Sequence, residues 1–204
     1  MDYHTLLKVA GGVLALLLFL PLIRAIVKQG AEGQSCATWL LWGLLDTILT
    51  ISIIEQHGNF YLPFGFAIGD LLVLVLLLAK GKFRWSIFET VILLMVIGCL
   101  IGWKLAGPKI ATISATMGIC IAGIPGLIEM LKYPQRKIGN IWAWYVVANM
   151  LGFFGGSAMT IEERFAPGVF ALCALAMFVA SRVRPLNARV PTTEDDKGCS
   201  CGSD

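Results

Sequence analysis

Trp39, Trp42 and Asp46 stand three and four residues apart inside an apolar run, so a helix there carries two indoles and a carboxylate on one face. Trp142, Tyr145 and Asn149 repeat that spacing later in the chain. Indole and phenol rings can stack on a planar or ring-shaped solute while a carboxylate or amide fixes its polar groups. A carboxylate facing hydrocarbon costs about 2.5 to 3.5 kcal/mol on insertion scales, so a polar stripe carried twice in apolar helices is expected to line a solute path between two similar halves. Asp70 supplies a second carboxylate. It and Asp46 each lie roughly ten residues into an apolar run, near the midplane of a bilayer at ~1.5 Å rise per residue. Two carboxylates brought together in such a site can hold a proton between them, which suits proton-coupled movement or direct binding of a cation.

The elements that must position these residues are transmembrane helices. Of the 204 residues 57% are hydrophobic and only 14% charged, with a mean hydropathy of +0.79, which leaves too little polar surface to coat a soluble globule. At the ~20 residues a crossing requires, the apolar runs 6–27, 36–54, 60–79, 85–103, 110–131, 138–157 and 165–183 predict seven helices and an all-α membrane protein. Met1-Asp2-Tyr3-His4 lacks a basic leader and no cleavage site follows, so the first run is expected to be retained. Arg24, Lys28, Lys80, Lys82, Arg84, Lys132, Arg136, Lys137, Arg182, Arg184, Arg189 and Lys197 fall on one side, against Lys8, Lys104, Lys109 and Arg164 on the other, twelve against four. That bias predicts a multi-pass protein of the cell membrane with its N-terminus outside and its C-terminus cytosolic. The net charge of +3 then reflects loops facing anionic lipid, with no nucleic-acid partner implied.

Self-comparison shows a repeat. A shift of 104 carries Pro21 onto Pro125, Lys28 onto Lys132 and Pro63 onto Pro167, and a shift of 103 carries Trp39 onto Trp142 and Asp46 onto Asn149. The unit therefore spans three helices. Residues 1–84 form the first triple-helix repeat, 85–104 a linker helix, 105–184 the second repeat, and 185–204 a polar tail expected to be disordered. A linker that crosses once makes the repeats parallel, in a three-plus-one-plus-three bundle. Pro21 and Pro125 fall late in the first helix of each repeat, where a missing donor and a ring clash kink the backbone, and are expected to act as hinges. Arg24 and Glu129 occupy the matching ends of those helices and are expected to pair as a gate. Glu89 lies close enough to its helix start to reach water.

Pro21-Leu22-Ile23-Arg24, Lys28, Glu32-Gly33-Gln34-Ser35 and Trp42-Gly43-Leu44-Leu45-Asp46 together resemble the first repeat of PQ-loop transporters, the clan that includes SWEET sugar carriers and lysosomal amino-acid exporters. In the second repeat Pro125 and Lys132 keep their places, Gly139-Asn140 approximates the G-x-S element, and Pro134-Gln135 is a literal Pro-Gln pair in a loop. Leu22 stands where the family's glutamine follows the proline. Where SWEET carriers have an asparagine in each third helix, this chain offers Asp70 and Ala174. The resemblance implies alternating access by two rocking triple-helix bundles, moving a sugar, an amino acid or a similar small polar metabolite, without enzymatic activity or a cofactor.

Two other classes compete. An intramembrane aspartyl protease uses two aspartates on adjacent helices, but Ala67-Ile68-Gly69-Asp70 lacks the first glycine of its G-x-G-D element and Asp46 follows leucine rather than tyrosine. The protease reading also leaves the repeat unexplained, and a non-transporting scaffold or assembly factor is the other alternative. Small repeat carriers often assemble, so a homo-oligomer is a further partner to consider. Cys36, Cys99, Cys120 and Cys173 read as isolated packing residues, His4 and His57 are too far apart for a metal centre, and Cys199 and Cys201 make a two-ligand set too sparse for one.

Overall fold

The computed structural model describes residues 2–29, 36–81, 85–132 and 136–183. Of the described residues 87% are helix and none is strand. The Glu32–Ser35 element of the resemblance, Pro134-Gln135 and the tail with Cys199 and Cys201 lie outside them.

α1 (Tyr3–Leu17) starts where Asp2 turns extended and its Oδ1 accepts the Thr5 N–H at 3.2 Å. That capping contact and the Thr5 side chain hold the Asp2 carboxyl below the usual carboxylate range. The first apolar run then breaks at Leu18 and resumes as α2 (Phe19–Gln29). Pro21 has no N–H to offer the carbonyl of Leu17, so the ladder is interrupted just before the ring. The same event recurs at Gly123, between α6 (Pro108–Ala122) and α7 (Ile124–Lys132), two residues ahead of Pro125. Both expected kink positions are therefore helix breaks.

α3 (Cys36–Glu55) is the most enclosed helix, because two of its faces pack. Leu41, Leu45, Leu49 and Ile53 recur every fourth residue and join Ile92, Val96 and Cys99 of α5 (Ile87–Ala106) and Ala111 and Ala115 of α6 in one core cluster. The opposite face meets α4 (Tyr61–Ala79). α5 and α6 are separated by Gly107 alone, whose φ of 85° is open to glycine, and Pro108 starts the next helix. α8 (Arg136–Gly155) leads through a π-helical turn (Ile161–Phe165) into α9 (Ala166–Ala180).

Helix contacts close into a ring running α1, α4, α3, α6, α9, α8 and back to α1, with α5 outside it against α3 and α6. α2 packs on α4 and α7 on α9. Where helices cross closely, glycine permits it: a Cβ on Gly12 of α1 would strike the Tyr61 carbonyl of α4, and one on Gly11 would sit 2.9 Å from the Ala148 carbonyl of α8. Large aliphatic side chains such as Leu72, Val75, Ile87, Leu94, Leu105 and Leu172 are half or more exposed around the outside, an arrangement suited to lipid and not to water.

Six stretches among the described residues are long and apolar enough to span a bilayer: Tyr3–Lys28, Cys36–Glu55, Tyr61–Ala79, Ile87–Ala106, Pro108–Lys132 and Ile161–Ala180. The protein is thus a multi-pass membrane protein in architecture. The expected seventh run, 138–157, is a helix of matching length, α8, but it falls outside that set. Its Arg136, Lys137, Asn140 and Asn149 dilute the apolar residues.

Candidate functional site

The two aspartates come from neighbouring helices and meet. α3 and α4 approach closely at Gly43, whose missing Cβ would lie 3.5 Å from the Asp70 Cβ. One turn on, the carboxyl groups of Asp46 and Asp70 are within hydrogen-bonding reach of each other. Both are buried, at 4% and 3% exposure, and Asp46 Oδ1 has no hydrogen-bond partner among the described residues. No lysine, arginine or histidine among the described residues pairs with either group. Ionised carboxylates only accept hydrogen bonds, so a bond between two of them requires a proton.

Tyr145 of α8 brings the other half of the ring to this pair, since its phenol lies in the field of both carboxyl groups. Its ring belongs to a continuous aromatic chain. Trp42 meets Trp39 edge-on at 5.3 Å between centroids, Trp39 meets Phe19 of α2 at 6.2 Å, and Phe19 meets Tyr145 at 6.4 Å. From Tyr145 the chain continues to Trp142 at 5.5 Å, and through Phe66 of α4 at 5.8 Å to Phe170 of α9. The buried Trp42 Nε1 has no acceptor.

Of the residues expected to bind solute, Trp39, Trp42, Asp46, Asp70 and Tyr145 are therefore gathered, and Trp142 joins through Tyr145. Asn149 is buried one turn beyond Tyr145, but its Nδ2 donates to the Tyr145 carbonyl at 2.7 Å rather than to an aspartate, and its Oδ1 is unpartnered. Phe19 and Phe66 were not legible as site residues, because each sits on a helix whose rotation about its axis only packing sets. The Phe19 ring rests on Gly69, beside Asp70, where any side chain would displace it.

Three expectations are corrected. Arg24 and Glu129 are both exposed and form no ion pair among the described residues; an open groove runs along Pro125, Ile128, Glu129 and Lys132. The ion pair that does form is at the opposite end, where Lys8 Nζ of α1 lies 2.9 Å from Glu163 Oε2 of the π-helical turn, both largely buried. Ser157 donates its N–H and hydroxyl to the same carboxylate, each at 3.2 Å, and the Asn59 N–H donates to the Glu162 carbonyl at 3.0 Å. Glu89 does not reach for water: it is buried, accepts the Thr38 hydroxyl at 2.9 Å and closes a capping box with Ser86. Nor are all the cysteines isolated, since the thiols of Cys120 and Cys173 meet at 3.1 Å between α6 and α9.

No family model matches the chain, and no curated protein or solved structure matches it.

Proposed function

We propose that this protein is a membrane transporter that moves a small polar metabolite by alternating access, coupled to protons through Asp46 and Asp70. The observation that carries the reading is the symmetry of the helix contacts. Exchanging α1, α3 and α4 for α6, α8 and α9 carries most neighbour pairs onto others: α1 on α4 becomes α6 on α9, α3 on α4 becomes α8 on α9, α1 on α8 becomes α6 on α3, and α2 on α4 becomes α7 on α9. Two parallel three-helix repeats, 1–84 and 105–184, joined by a linker at 85–104, account for that exchange, for the paired helix breaks at Leu18 and Gly123 and for the position of α5 outside the ring. On this reading the chain is akin to PQ-loop and SWEET-like carriers, with an outside N-terminus and a cytosolic C-terminus in the cell membrane.

The site lies where such a carrier needs it, between the repeats, with the aspartates from one and Tyr145 from the other. The Lys8 end is latched by the Glu163 ion pair while Arg24 and Glu129 stand apart at the other end. Alternation then means that the Lys8–Glu163 pair opens as the opposite end closes, with Pro21 and Pro125 absorbing the bend.

A second reading draws on the aspartate pair itself, because two carboxyl groups meeting across adjacent helices also suit an intramembrane aspartyl protease. That reading leaves the twofold contact pattern without a role. Uptake into proteoliposomes under an imposed pH gradient separates the readings. Saturable flux of a polar solute that loses its pH dependence in Asp46→Asn and Asp70→Asn supports the carrier. Absence of flux for sugars, amino acids and amines alike sinks it, and cleavage of a helical peptide by the parent but not by Asp70→Asn establishes the protease.

A further inference from the structure

We infer, building on the carrier reading, that the solute this site accepts carries a primary ammonium group. Two buried carboxyl groups face each other with no basic side chain among the described residues to balance them. Positive charge must therefore come from outside the protein, as a proton in the empty site and as the solute's own cation in the filled one.

The unfilled hydrogen-bonding capacity indicates which cation. Asp46 is 4% exposed, and its Oδ1, an acceptor, has no partner among the described residues. The nearby unpartnered donor is Trp42 Nε1 on the same helical face. A primary ammonium brings three donors to the carboxylates, and a hydroxyl or carbonyl elsewhere on the solute would satisfy the indole. The rings of Phe19, Trp39, Trp42, Phe66 and Tyr145 form the continuous surface beside the pair, and aromatic faces attract a cation further when water is excluded. An anion would meet two carboxylates and no basic group. A calcium ion would find two carboxyl groups among aromatic rings, and no third His, Cys, Asp or Glu among the described residues joins them.

Charge balance sets the stoichiometry. One ammonium enters as the pair releases the one proton it holds, so the site exchanges proton for monocation without a change in net charge. The titratable groups that face the pair are each other and Tyr145 from α8. Glu89 of α5 is engaged two turns away by Thr38 and Ser86.

Binding is read on the detergent-purified full chain by thermal shift and calorimetry, with phenethylammonium as probe and tetramethylammonium, which has no N–H donor, as comparison. The expected result is saturable binding of phenethylammonium that weakens at least tenfold in Asp46→Asn, with tetramethylammonium weaker by about the same factor. Apparent affinity tightens as pH rises, because ligand and proton compete for the pair. Should Asp46→Asn fail to fold, Trp42→Phe, which removes the indole donor but keeps a ring, is measured with phenylethanolammonium, whose hydroxyl it should cease to recognise. Absence of saturable phenethylammonium binding to folded parent protein overturns the inference, as does equal affinity for tetramethylammonium. Flux of a neutral sugar with no ammonium binding would overturn the inference and keep the carrier; ammonium binding without flux of any solute would keep the inference and remove the carrier.

Discussion

Asp46 and Asp70 show how strongly a single buried group depends on its neighbour. Either alone between α3 and α4 would be an unpaired carboxyl in a packed interior; within reach of each other they can share a proton, and burial becomes tolerable. Lys8 and Glu163 solve the same problem with opposite charges, aided by Ser157. Removing one partner of that pair leaves the other charge stranded. Lys8→Met is therefore expected to destabilise the fold by roughly 3 kcal/mol, and Lys8→Met with Glu163→Met by clearly less, because the double variant strands nothing. Equilibrium unfolding of the three proteins in mixed micelles measures this, and additive losses would show that the pair is not coupled.

Helix packing in this fold depends on backbones coming close, since lipid is as apolar as leucine and offers helices little reason to associate. Gly12 of α1 lies against the Tyr61 carbonyl, and Gly65 of α4 lies against the Gly12 carbonyl. Each faces backbone, which cannot swing aside as a flexible side chain would. Gly12→Val is accordingly expected to cost about 1–3 kcal/mol by forcing α1 from α4, whereas Gly98→Val on α5, which has nothing within 4 Å, leaves stability unchanged. Melting temperatures of the two variants compare the sites directly, and equal losses would argue against the α1–α4 crossing. α3 owes its enclosure to neighbours on two sides, and its sequence already carried the stripe Leu41, Leu45, Leu49 and Ile53.

The whole molecule is a ring of six helices, two of them broken, with α5 outside it. Whether α8 crosses the bilayer determines the topology. Six crossings would return both chain ends to one side, and seven separate them. Tags at residues 1 and 204 are expected to be accessible from opposite faces of sealed vesicles, the second from the cytosolic face. Accessibility of both from one face would exclude α8 as a span and with it the two parallel repeats. α8 meets α1, α9 and α4 and its Asn149 is buried, and a helix so surrounded tolerates lower apolarity than one facing lipid.

Six of the seven expected spans and their approximate bounds were legible in the chain because they depend on local quantities: the length of an apolar run and the missing donor of Pro21 and Pro125. The meeting of Asp46 with Asp70 was foreseeable only as a possibility of depth, since sequence gives a residue's height in the membrane but not its helix's rotation toward a neighbour. Lys8 with Glu163, Thr38 with Glu89, Cys120 with Cys173 and the Phe19 ring on Gly69 were hidden for the same reason. Each joins residues far apart in the chain, and close packing between helix surfaces selects such pairs.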